Sequence, residues 1–154
     1  ISRRKKTNKA LKEKMAKELA VGDTEKLDVI ANAYDQNLTV GMKMAGVPTK
    51  TIQSTMPLVM ADLYETSQLE RQYPVKLTDG TQEYTVNTAS EYMAVSAKIF
   101  KSGLGNDPRY NDLLEAIKGG PSAYQMWHQR NHPEKIHNSV MKSSRDWAKY
   151  FNLQ

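Results

Sequence analysis

Apolar residues recur along most of this chain at spacings of three and four, the period of an amphipathic helix. Leu11, Met15 and Leu19 start the series, and Gly22 is placed to stop that helix. Asp23 or Thr24 can cap the next helix, whose buried face reads Leu27, Ile30, Ala31 and Tyr34. Asn37 predicts a break, followed by a short segment from Thr39 to Ala45 and a turn at Gly46-Val47-Pro48. Another helix then begins. Pro57 is expected to limit it, because an internal proline removes a hydrogen bond and clashes with the preceding turn. Leu58, Val59, Ala61 and Leu63 carry the pattern onward to about Gln72, with Asp62 interrupting the apolar face.

The period then changes to two. Val75, Leu77, Tyr84 and Val86 alternate with Lys76, Thr78, Glu83 and Thr85, and Asp79-Gly80 lies between the runs. This predicts a β-hairpin over about 74–87, with Asp-Gly supplying the backbone angles of a tight turn. Thr88-Ala89-Ser90-Glu91 reads as a capping box for a helix that stops at Gly103. Asp107-Pro108 caps and starts another helix, which ends at Gly119-Gly120-Pro121. A short helix follows from Ser122 to about Asn131, and His132-Pro133 starts a last one, with Ile136, Val140, Trp147 and Phe151 as candidates for burial. The expected fold is a mainly α, small multi-helix domain with one hairpin. Residues 1–20 form a basic N-terminal arm or helix, of which residues 1–8 are expected to be unstructured when alone. Residues 21–154 form the helical domain.

Charge changes this picture. The net charge is +5 over 154 residues. Residues 1–17 carry eight Lys or Arg against Glu13 alone, residues 18–117 carry eight basic against fourteen acidic residues, and residues 118–154 carry six against two. Basic ends and an acidic middle make a field that steers a polyanion to part of the surface. Arg3, Arg4, Lys5, Lys6, Lys9 and Lys12 are the expected phosphate contacts. Solubility and self-association through opposite charges are the simpler uses of the same pattern. A narrow apolar stripe in residues 9–20 also allows an amphipathic helix on an anionic membrane, ranked below nucleic acid.

The absence of cysteine excludes a disulfide scaffold, thiolate zinc sites and a cysteine nucleophile. The apolar runs are too short for a transmembrane segment, and the basic start is not followed by the apolar stretch of a signal peptide. The expected location is cytoplasmic or virion-associated.

Thr39-Val40-Gly41-Met42-Lys43-Met44-Ala45-Gly46-Val47-Pro48-Thr49-Lys50-Thr51-Ile52 resembles the helix-turn-helix of bacterial repressors and phage small-terminase DNA-binding domains. The resemblance covers about twenty residues. Ala45-Gly46-Val47 stands at the turn, Thr49 at the cap and Ile52 at the aliphatic anchor. It implies that Lys50, Thr51, Gln53 and Ser54 face outward, toward phosphates or base edges. It departs from the pattern at Met42, where a small residue is expected, and in having one cation on the recognition helix. The hairpin could serve as a wing, although a structural role is simpler. The resemblance also implies an oligomer, and a phage or mobile-element type of protein.

All three histidines, His128, His132 and His137, fall within one short stretch. His128 and His132 are four apart, the spacing at which a helix presents two rings to a metal or a phosphodiester. Pro133 breaks that helix, so the simpler reading is surface histidines beside Arg130 and Lys135. Eight methionines, with Met42, Met44, Met56 and Met60 around the corner, suit core packing or an adaptable interface. No phosphate-binding glycine loop, dinucleotide fingerprint or nucleophile elbow is present, and no cofactor is expected. The sequence therefore points to a non-enzymatic nucleic-acid-binding protein, duplex DNA ahead of RNA. An assembly component such as a virion protein is the alternative, and a histidine-dependent nuclease the third reading.

Overall fold

The structure is a computed structural model that describes residues 2–19, 21–69, 72–133 and 137–152; the side chains of residues 2–8, 69, 137, 138 and 152 lie outside that description. Seven α-helices and one hairpin follow in order: α1 (Ser2–Glu18), α2 (Thr24–Met44), α3 (Thr49–Leu69), β1 (Val75–Thr78), β2 (Glu83–Val86), α4 (Ala89–Gly103), α5 (Asn111–Lys118), α6 (Pro121–Asn131) and α7 (His137–Asn152). A 3-10 turn, Pro108–Tyr110, precedes α5. The mainly helical fold with one hairpin is the one the periodicity predicts.

Helix α3 is the centre of the molecule. It lies along α7 and also touches α2, α4, α5 and α6, while α2 packs along α4. Leu58, Val59, Met60 and Ala61 are four consecutive buried residues on α3, so this helix is enclosed on most sides. That enclosure explains why Pro57 does not end it. Proline leaves the Gln53 carbonyl without its helical donor, but Gln53 is exposed and water can serve that carbonyl. Packing of the following turn outweighs the local cost. Asn37 likewise lies inside α2, which continues to Met44, because Leu38, Gly41 and Met42 extend the buried face past it. The expected break and all but the last residue of the expected short segment Thr39–Ala45 are thus absorbed into a 21-residue helix, which Ala45 caps. Gly41 has a packing reason: a Cβ there would stand 3.0 Å from Lys101 Cα and 3.4 Å from Phe100 Cδ1, so α2 and α4 cross at close range.

The caps follow the sequence closely. The Lys26 N–H donates to Asp23 Oδ1 at 2.8 Å, and the Glu91 N–H donates to Thr88 Oγ1 at 3.1 Å. Glu91 reaches one residue further back than a standard capping box, accepting from the Asn87 N–H at 2.7 Å. The hairpin register pairs Val75 with Val86 and Thr78 with Glu83. Its connection is wider than the expected tight turn and spans Asp79–Gln82. Gly80 has φ +98° there. Asp79 Oδ1 accepts from the Thr81 and Gln82 N–H groups, which hold its carboxyl down at about 2. Val86 is buried and both strands contact α4, so the hairpin is a structural flap on that helix.

The final helix also differs from expectation. His132 closes α6, its N–H donating to His128 O at 2.8 Å, and α7 begins at His137. Glu134, Lys135 and Ile136 lie outside the described residues. At the other end of the chain, α1 begins at Ser2, well before the expected start at Lys9. Met15, Ala16 and Leu19 join the same core as Leu27, Tyr34, Tyr64, Trp147 and Tyr150.

Candidate functional site

Helix α7 has two opposed faces. Val140, Ser143, Ser144, Trp147 and Tyr150 are buried against the body. Lys142, Arg145 and Lys149 are exposed and spaced by three and four, which places them together on the opposite side. Among the described residues, none of the three takes part in an ion pair. The fold lays α1 beside this helix, and Lys14 Nζ bonds Asp146 Oδ2 at 2.9 Å across the seam. That bond raises the Lys14 pKa above its ordinary value. The two basic ends of the sequence are thus joined in space.

The predicted phosphate contacts on α1 divide between two environments. Lys9 is exposed, with Glu13 Oε1 at 4.0 Å. Lys12 is turned inward: its side chain is 16% exposed, bonds Asp28 Oδ2 at 3.2 Å and lies over the Tyr150 ring. The same Asp28 accepts from the Tyr150 hydroxyl at 2.5 Å, and burial together with this bond pushes the Tyr150 pKa up. Lys12 therefore serves to anchor α1. Lys14 and Lys17 are the exposed cations of the following turns. Helix α1 includes Arg3, Arg4, Lys5 and Lys6, whose side chains lie outside the described residues.

The corner between α2 and α3 reproduces part of the helix-turn-helix pattern. Gly46 has φ +87°, with open space where a Cβ would stand, and Val47 and Ile52 are buried. Met42, at the position where a small residue was expected, is fully buried. Thr49 is not the cap: the Ile52 N–H donates to Pro48 O at 3.0 Å, so Thr49 is already in the helix. Lys50, Gln53 and Ser54 are exposed, Thr51 is half-buried, and the Ser54 hydroxyl bonds Thr51 O. Both helices of the corner have 21 residues, against the short helices of the motif. Gln53 opens onto a groove of about 580 Å3 with Asp35, Met56, Pro57, and Ala148 and Phe151 of α7. Burial raises the Asp35 carboxyl within it. The α7 stripe, whose last member is Lys149, therefore runs between α1 and the corner.

On the other side of α3 stands a second arrangement. His128 is not at the surface; it is 2% exposed, and its Nε2 lies 3.1 Å from Asp62 Oδ1. A carboxylate can only accept, so this imidazole edge carries the proton. The Tyr124 hydroxyl donates to the other carboxylate oxygen at 2.9 Å. Burial first, then the Asp62 charge, raise the Tyr124 pKa well above its ordinary value. Asp62, the interruption in the α3 pattern, is thus the polar centre of the α3–α6 contact. The rings of His128 and His132 do converge, with centroids 5.5 Å apart, and His132 also meets the Trp127 ring edge-on. The His137 side chain lies outside the described residues. Among the described residues, no group of three His, Cys, Asp or Glu side chains could hold a metal ion, and no helix is long and apolar enough to cross a membrane.

Sequence reasoning missed the α7 stripe, although the spacing of Lys142, Arg145 and Lys149 was available to find it. It also missed the Asp62–His128–Tyr124 group, whose members are more than sixty residues apart on one side. Comparison with protein-family models, with curated proteins and with solved structures found no match to this chain.

Proposed function

We propose that this chain is a non-enzymatic nucleic-acid-binding protein whose phosphate contacts come from α7 and α1 together. The observation that carries this reading is the solvent-facing stripe of Lys142, Arg145 and Lys149, set beside the cations of α1. Lysine and arginine on a helix flank neutralise phosphates without reading sequence, and release counterions as they do so. Lys9, Lys14 and Lys17 extend the surface on one side. Arg3, Arg4, Lys5 and Lys6 add charge along the same segment. On the other side, Lys50, Thr51, Gln53 and Ser54 supply the groups able to reach base edges. Duplex DNA is the preferred partner, since a helix face with a helical corner beside it suits a regular backbone and a groove.

Fluorescence anisotropy of a labelled duplex, titrated across a salt series, tests this reading. Substitutions are preferable to deletion of α1, because deletion would remove Met15 and Leu19 from the core. The triple variant K142A/R145A/K149A is expected to bind more weakly. Its log-affinity should fall less steeply with log salt, by about 0.9 for each phosphate that the variant no longer neutralises. K50A/Q53A/S54A is expected to lose any preference between duplex sequences while keeping that slope. An unaltered chain that shows no salt-dependent binding to DNA or RNA ends the proposal.

One observation favours a second reading, a structural or assembly component. Val29, Val40 and Met44 on α2 are 70%, 38% and 71% exposed. With exposed Ala33 they fall on one side of that helix at helical spacings. Such a stripe suits contact with another copy. A monomer in light scattering at high concentration and low salt rules this reading out. Concentration-dependent association abolished by V40E supports it.

A further inference from the structure

Between Lys26 and Lys43 the exposed residues of α2 are Val29, Asn32, Ala33, Gln36 and Val40, and all are neutral. Exposed faces elsewhere carry charge: Glu91, Lys98 and Lys101 on α4, and Lys142, Arg145 and Lys149 on α7. Three of the four large apolar side chains exposed among the described residues, Val29, Val40 and Met44, stand on this one helix. Depletion of charge from an exposed face is the compositional mark of an interface core. Val29, Ala33, Gln36 and Val40 follow steps of four, three and four, the alternation of a helix-to-helix seam, and Met44 lies one turn further. The buried side of α2 is covered by α4, with α1 and α3 also against it.

The ends of this stripe identify what covers it. Glu25 and Lys43 are exposed at opposite ends, and among the described residues neither takes part in an ion pair. They are eighteen residues apart, about five whole turns, so they lie on the same flank of the stripe. In two antiparallel helices related by a two-fold axis, each flank meets the same flank of the other copy. Each residue there meets the one equally far beyond the axis. An axis level with Tyr34 and Asp35 sets Val29 against Val40 and Ala33 against Gln36, twice each. The small Ala33 leaves room for the Gln36 amide and lets the helices approach. The same axis brings each Glu25 within one residue of level with Lys43 of the other copy. Lys26 and Met44 have the same spacing on the opposite flank, so the lysine stem covers the methionine. Antiparallel helices also oppose their dipoles. A surface that complements itself in apolar contact, charge and dipole fits a second copy of this chain.

We propose that two copies of this chain associate through α2 as an antiparallel, two-fold pair, with Val29 of each against Val40 of the other and Glu25 of each paired to Lys43 of the other. This pairing deepens the assembly reading and rests on it; it is independent of the nucleic-acid reading. One helix face is smaller than the surface of a permanent dimer, so the pair is reversible, with a Kd on the order of 100 µM.

Sedimentation equilibrium of the full chain, from about 10 µM to about 1 mM at low salt, measures the association. E25K is expected to weaken it about fivefold, since two ion pairs become two like-charge contacts, and E25K/K43E should restore it. The chain has no cysteine, so single cysteines at exposed positions report the geometry cleanly. A mixture of V29C and V40C should oxidise to a mixed disulfide. V29C alone should not cross-link, because its two copies stand about 16 Å apart along the axis in an antiparallel pair. All of these positions are exposed, so the variants keep the core. Three results would overturn the proposal. A monomer throughout the concentration range removes the pairing and the assembly reading together. Association in which V29C cross-links to itself as readily as to V40C leaves an assembling protein with a different contact. Association unchanged by E25K, or not restored in E25K/K43E, likewise leaves assembly standing and removes this register.

Discussion

The two faces of α3 use charge in opposite ways. On the α7 side, Lys142, Arg145 and Lys149 are exposed, and among the described residues none of them takes part in an ion pair. On the α6 side, the Asp62 side chain is only 13% exposed, and its carboxylate meets the Tyr124 hydroxyl and the His128 ring. A solvated cation contributes little to folding and is available to an outside partner. A buried carboxylate must have its partners, and removing one leaves the others stranded. The first face should therefore tolerate substitution and lose only binding, and the second should lose stability.

The largest expected effect tests the buried side. D62A leaves Tyr124 and His128 without their acceptor and should cost about 3 kcal/mol in a urea melt. A loss under half a kilocalorie per mole would mean that the two groups find water instead, and the contrast between the faces would fail. Next is the α2–α4 crossing. G41L places a side chain against the Lys101 backbone and should cost about 2 kcal/mol by the same measurement. This loss separates damage from overpacking from damage to the polar group.

Alkaline pH gives an intermediate effect. Burial raises Tyr34 to about 12, and Tyr124 and Tyr150 are raised as well. For a group raised on folding, the stabilisation is complete below the unfolded value near 10 and is lost as pH rises through the folded value. The melting temperature should therefore hold to about pH 9.5 and fall between about 10 and 12, with a shallower fall in Y34F. The smallest effect on stability belongs to the exposed side. K142A/R145A/K149A should change the unfolding free energy by less than about 0.5 kcal/mol while weakening DNA binding. A large stability loss there would mean that the stripe is structural.

The sequence alone determined most local structure. Helical periodicity gave the elements, Asp23 and Thr88 gave caps that the structure uses, and alternation around Asp79-Gly80 gave the hairpin. These features depend on neighbours within about four residues, and a linear pattern records them. Breaks were harder to read. Asn37 and Pro57 carry local signals against helix, yet α2 and α3 run through them, because burial of the next turns outweighs a penalty incurred once. Charge showed the same division. The excess at both ends was countable, but only packing set Lys12 against Asp28 and joined α1 to α7 through Lys14 and Asp146. His128 and Asp62 are 66 positions apart, and nothing in either neighbourhood announces the other. Only the closing of α6 onto α3 decided that an acidic interruption and a histidine would form one buried pair, because the free energy that selects such a contact comes from desolvation, which no local pattern encodes.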